Sequence, residues 1–133
     1  MPGQFQVEGD GGVTTPTPPN FEMPLRIPPV LTGANITIPV KQADVQILPH
    51  GDPTSMFTYG GTYPGPTIRR PAGAPTRVTF VNQLPDTVGA ITVHLHGGHQ
   101  PSESDGQPDS QLISAGARKT YNYPLKEAGK PVP

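Results

Sequence analysis

The sequence predicts an all-β protein. Three observations carry that prediction. No segment sustains a helical hydrophobic period, and short runs of β-forming residues alternate with turns at the spacing of a sandwich or barrel. The third is compositional: 20 prolines and 16 glycines among 133 residues make about 27%, which reaches the range of aperiodic disordered chains. That load is uneven, being dense near the N-terminus, while further on Pro and Gly punctuate strand-like runs.

Taken in order, residues 1–20 contain Gly9 to Gly12 interrupted by Asp10, then Thr14-Thr15-Pro16-Thr17-Pro18-Pro19. They read as a flexible tail, because such a stretch cannot form a helix or sheet interior. Residues 21–35 form a proline-rich strap, in which Leu25, Ile27 and Val30 alternate with prolines in the manner of a polyproline-like segment crossing a surface. Residues 36–39, 43–48 and 55–59 are the first three candidate strands. Gly60-Gly61 and Pro64-Gly65-Pro66 make an irregular connection to a short strand at 67–69. The clearest amphipathic strand is 76–82, with Val78 and Phe80 inward. A turn at Leu84-Pro85-Asp86 leads to a strand over 90–96, and 119–123 closes the series.

The chemistry gathers in Thr92-Val93-His94-Leu95-His96-Gly97-Gly98-His99, which holds three of the four histidines. Side chains alternate along a strand, so Ile91, Val93 and Leu95 face a core while Thr92, His94 and His96 face the other way. Two rises put the two imidazoles about 7 Å apart at Cβ, close enough for one metal or two adjacent ones. The bland alternative is a solvated polar strand end. His99 lies beyond the glycines, where strand phase is lost, and His50 sits in the exposed turn Pro49-His50-Gly51-Asp52.

Composition removes several function classes. A net charge of −1 offers no electrostatic footprint for nucleic acid or an anionic membrane. No apolar run reaches the roughly eighteen residues a transmembrane helix requires. Met1 is not followed by the basic and apolar regions of a secretory signal, which leaves a cytoplasmic protein or a mature secreted form. The absence of cysteine excludes disulfides, thiolate metal sites and cysteine nucleophiles.

Four separated motifs, in order, resemble the first cupredoxin domain of the multicopper oxidases. They are Tyr63-Pro64-Gly65-Pro66-Thr67-Ile68, Val78-Thr79-Phe80-Val81-Asn82-Gln83-Leu84-Pro85, His94-Leu95-His96-Gly97-Gly98 and Ser104-Asp105-Gly106. With the strap, they are most similar to the branch containing spore-coat laccase, bilirubin oxidase and phenoxazinone synthase.

The resemblance implies a cupredoxin-like Greek-key β-sandwich, incomplete in this chain, with residues 36–133 as the N-terminal part of that domain. It also implies an oxidase that takes single electrons from phenolic or aminophenolic substrates and reduces dioxygen to water at a trinuclear copper cluster. His94 then matches the type 2 copper ligand, His96 a type 3 ligand, and His99 no ligand. Asp105 matches an acidic residue assisting proton delivery, although an Asp before Gly106 also serves simply as a turn former. A type 1 copper needs a thiolate, so that site is expected on a partner chain carrying the remaining domains, this chain being a fragment or one product of cleavage.

Two other readings stand beside this one. His-x-His on a strand also serves mononuclear zinc or iron sites of the cupin kind, but there a Glu follows the second His by four or five positions and another His comes later, whereas Glu103 follows His96 by seven and no His follows His99. The other is a copper-free cupredoxin-like scaffold used for protein interaction.

Overall fold

The computed structural model of the chain describes residues 22–125; the tail expected over 1–20 lies outside them. Six strands run in the order β1 (Val30–Leu31), β2 (Asn35–Val45), β3 (Thr54–Tyr59), β4 (Thr67–Ile68), β5 (Thr76–Asn82) and β6 (Arg118–Tyr123). β3, β2, β5 and β6 form one mixed sheet in that spatial order, and β1 pairs in parallel with β4 as a separate two-stranded sheet. Two single-turn 3-10 segments, Asp86–Val88 and Ser102–Ser104, interrupt the loops.

β2 is the centre of the sheet, and its alternation explains the core. Ile36, Ile38 and Val40 are buried on one face, while Asn35 and Thr37 are exposed. Beyond Val40 the phase changes and Val45 is the next buried residue. At Val40 the strand exchanges partners: residues 35–40 pair in parallel with β5, and residues 40–45 pair antiparallel with β3. The two strands expected at 36–39 and 43–48 are therefore one strand ending at Val45, with the polar Lys41 and Gln42 at the phase change. Pro39 sits inside it without loss. Its carbonyl accepts from Gly60 N (2.7 Å) on the side where β3 has ended, so the missing N–H leaves no gap in a ladder.

β5 coincides with the expected strand and alternates without a break, with Thr76, Val78, Phe80 and Asn82 all buried. Of these, Val78 and Phe80 join Ile36, Ile38, Val40, Leu84, Val93, Ile113, Tyr121 and Tyr123 in a single apolar cluster. Phe80 stands edge-on to both Tyr59 and Tyr121 at 5.7 Å between centroids, and such pairs add about 0.5–1.5 kcal/mol each beyond area burial. The reverse face is polar, with Thr79 and Thr120 in register and joined by their hydroxyls at 2.8 Å.

The strap is fastened at few points. Leu25 is 91% exposed and Ile27 is 84% exposed, so the apolar residues expected to pack across the surface do not. Attachment comes from β1 pairing with β4, from Glu22 pairing with His50, and from Arg70, whose guanidinium donates to Thr32 O at 2.6 Å and to Thr76 Oγ1 at 3.0 Å.

Candidate metal centre

The strand expected over 90–96 is reduced to one bridge, Ile91 with Ile113, closed by N–H···O bonds of 3.0 and 2.7 Å. Asn82 sets its position. This fully buried amide donates to Ile113 O (3.0 Å) and Gly89 O (3.2 Å) and accepts from Leu84 N (3.1 Å). All three bonds run from the end of β5 to the loops carrying Ile91 and Ile113, so the sheet aims the histidine segment. Past Ile91 the segment is bonded by side chains to a loop instead of by a ladder to a strand, which is why the expected strand does not form.

The alternation still holds for most of the segment. Val93 is buried, while His94 and His96 are exposed; Leu95, expected inward, is 38% exposed. The imidazoles of His94 and His96 lie 5.7 Å apart at their centroids, nearly perpendicular at 81°.

The loop from Gln100 to Gln111 packs beneath the histidines. Thr92 Oγ1 donates to Gly106 O at 2.7 Å. Gly106 has φ of 79°, and a Cβ there would overlap the Val93 carbonyl and lie 2.8 Å from His94 Cα. Only glycine admits this approach. His94 Nδ1 lies 2.6 Å from Asp105 O. A carbonyl only accepts, so Nδ1 carries the hydrogen and Nε2 keeps its lone pair. The Asp105 carboxylate Oδ1 is 3.8 Å from the same Nδ1 and is partly open to solvent.

Three glutamines that carry no sequence motif organise this loop. Gln111, 8% exposed, accepts from Gly106 N at 2.6 Å and donates to Ser102 O. Gln100 donates to Leu95 O (3.1 Å) and to Asp105 Oδ1 (2.5 Å), and Gln107 donates to Asp105 Oδ2. Buried Ser104 accepts from Asn122 N at 2.9 Å, tying the loop to β6. The amide inventory of glutamine was legible, but nothing in its spacing signalled these partners.

Beside His94 opens a cleft of about 220 Å³ lined by Ile38, Tyr59, Phe80, Val93, Leu95 and Tyr123. Burial, followed by the nearby Tyr121, Tyr59 and Asp105 groups, pushes the Tyr123 hydroxyl up to about 12, and burial raises Tyr59 as well. Both therefore stay protonated at neutral pH. The remaining histidines lie apart in role: His50 pairs with Glu22 of the strap at 2.9 Å, and His99 is exposed past the Gly97-Gly98 turn. Among the described residues, no group of three or more His, Cys, Asp or Glu converges on a metal position.

Residues 40–130 match the family model described as multicopper oxidase. The chain belongs to the multicopper oxidase family. It is 30% identical over 129 residues to the bilirubin oxidase of Albifimbria verrucaria, covering 87% of this chain and 22% of that protein. It is 33% identical over 96 residues to the laccase of Bacillus stratosphericus, covering 54% of this chain and 19% of the relative. The crystal structure of a laccase from Pediococcus acidilactici superposes with a TM-score of 0.67 at 27% identity, covering 81% of this chain and 24% of that one. The chain thus spans about a fifth of the length of the curated relatives it matches. The fold is that of a multicopper oxidase cupredoxin domain, mostly strands and without a closed barrel, and the family membership sets the cupin-like alternative aside. Among the described residues no helix is long and apolar enough to cross a membrane.

Copper is the metal this family implies, and the donors fit part of such a site. Two imidazoles, one already held through Nδ1, are borderline donors suited to copper, and a second nitrogen fixed by a carbonyl is the arrangement usual for a metal-binding histidine.

Proposed function

We propose that His94 and His96 are copper ligands of a laccase-like multicopper oxidase, His94 to the type 2 and His96 to a type 3 copper of a trinuclear cluster. The observation that carries the reading is the Nδ1 anchor of His94 on Asp105 O, which turns the free Nε2 away from the loop. The perpendicular His96 ring beside it suits two adjacent metals better than one. Copper, when bound, supplies the one-electron steps that couple oxidation of phenolic or aminophenolic substrates to reduction of dioxygen to water.

The chain's own residues then do the following. The Asp105 carbonyl orients the His94 ring and holds its Nδ1 proton. The Asp105 carboxylate, near that ring and open to solvent, takes up and passes on the protons that water formation consumes. The cleft beside His94 borders one side of the ring with mainly apolar side chains. The other ligands, including any type 1 thiolate, come from outside these cysteine-free 133 residues, with a partner chain carrying further domains as their proposed source.

The test is His94→Ala in the assembled oxidase, read by electron paramagnetic resonance. The type 2 copper signal and oxygen uptake should be lost while the blue absorption survives. Loss of the blue band with the type 2 signal intact would contradict the assignment.

A further inference from the structure

We infer that Gln100 is a positioning residue for the two histidines, acting through the main chain between them and through Asp105. Its side-chain amide has two N–H groups, and both are committed: one reaches Leu95 O at 3.1 Å, the other Asp105 Oδ1 at 2.5 Å. Leu95 is the residue between His94 and His96, and Asp105 is the residue whose carbonyl receives the His94 Nδ1 hydrogen. One amide therefore spans both sides of the contact that fixes the His94 ring.

The orientation of that amide follows from donor chemistry. Both partners are pure acceptors, so the nitrogen must face them and the oxygen must face away. That oxygen is buried and has no hydrogen-bond partner, a cost that the opposite placement could only increase, since it would set the oxygen against two acceptors. The oxygen is turned toward Gly98, where a Cβ would collide with it, so the second glycine of His-Leu-His-Gly-Gly makes room for this side chain. Gln107 holds the other carboxylate oxygen of Asp105, whereas Gln100 also holds the Leu95 carbonyl, which makes Gln107 the natural comparison.

This inference rests on the histidine reading above, and its test separates the two. Gln100→Leu and Gln100→Glu remove the donors, the second with little change of shape; Gln107→Leu removes only the support to Asp105 Oδ2. Imidazole-nitrogen NMR of the full chain at about pH 8, above the ordinary histidine range, reports the tautomer of His94 without any metal. Cu(II) titration of the same samples reports affinity.

The parent should hold the Nδ1–H tautomer. Either folded Gln100 variant should shift toward the Nε2–H form and weaken Cu(II) binding by about tenfold or more, whereas Gln107→Leu should change both by less. An unchanged His94 tautomer in a folded Gln100 variant overturns the inference, even where Cu(II) binding is normal. Retention of the type 2 copper signal in the assembled His94→Ala oxidase contradicts the copper reading, and the tautomer measurement still decides the role of Gln100.

Discussion

The sheet and the histidine loop are held together by different means. β2, β5 and β6 are joined by continuous ladders over an apolar face, so their order is repeated at every residue and no single bond decides it. From Ile91 to Ile113 there are one β-bridge and the 3-10 turn at Ser102–Ser104, and much of the remaining order comes from individual side chains: Thr92, Gln100, Gln107 and Gln111 each reach a specific main-chain or carboxylate oxygen. A ladder tolerates substitution on its solvent face. A loop stitched in this way does not, because no neighbouring bond repeats what each stitch holds.

Substitutions should separate the two regions. Gly106→Ala should have the largest effect, costing about 4 kcal/mol through overlap with the Val93 main chain and a positive φ. Thermal unfolding should show that loss, and any folded protein should no longer take up copper. Ile36→Ala, in the core and 8% exposed, should cost about 3 kcal/mol while the copper affinity of the folded fraction stays at the parent value. A parallel loss of affinity would mean that sheet and loop are one cooperative site.

Tyr121→Phe sharpens the contrast from the other side. The Tyr121 hydroxyl is buried without a partner, so its removal should stabilise the sheet by about 1 kcal/mol, visible as a raised denaturant midpoint. An effect confined to alkaline pH concerns Tyr123. Its hydroxyl is pushed from 10.0 up to about 12, so below pH 10 folded and unfolded chains hold the same proton. Between 10 and about 12 only the unfolded chain releases it, and stability falls as pH rises through that window. Tyr123→Phe should flatten that alkaline slope in equilibrium unfolding; an unchanged slope would locate the proton release on another group.

The same contrast explains what could be read from the sequence. β5 at Thr76–Asn82 was legible because its period of two is unbroken, and β6 begins one residue earlier than expected, at Arg118. β2 appeared as two strands because its buried phase changes where it exchanges partners, an event that local alternation cannot represent. His94 and His96 were legible as a pair on one side because Val93 fixes the local phase, although no strand forms there. Asn82 and the three glutamines were not, since an amide acquires a role only from the acceptors that the fold brings to it. Asp105 combines both cases: its turn before Gly106 follows from sequence, while its carbonyl bond to His94 depends on the loop returning beneath the segment.

Binding of copper by His94 and His96 is read out by copper content per chain, measured by inductively coupled plasma mass spectrometry after loading and gel filtration. The His94→Ala/His96→Ala double variant should lose the copper attributable to this chain, and His50→Ala, whose partner is Glu22 of the strap, should keep it. A double variant that retains the parent's copper would contradict the account.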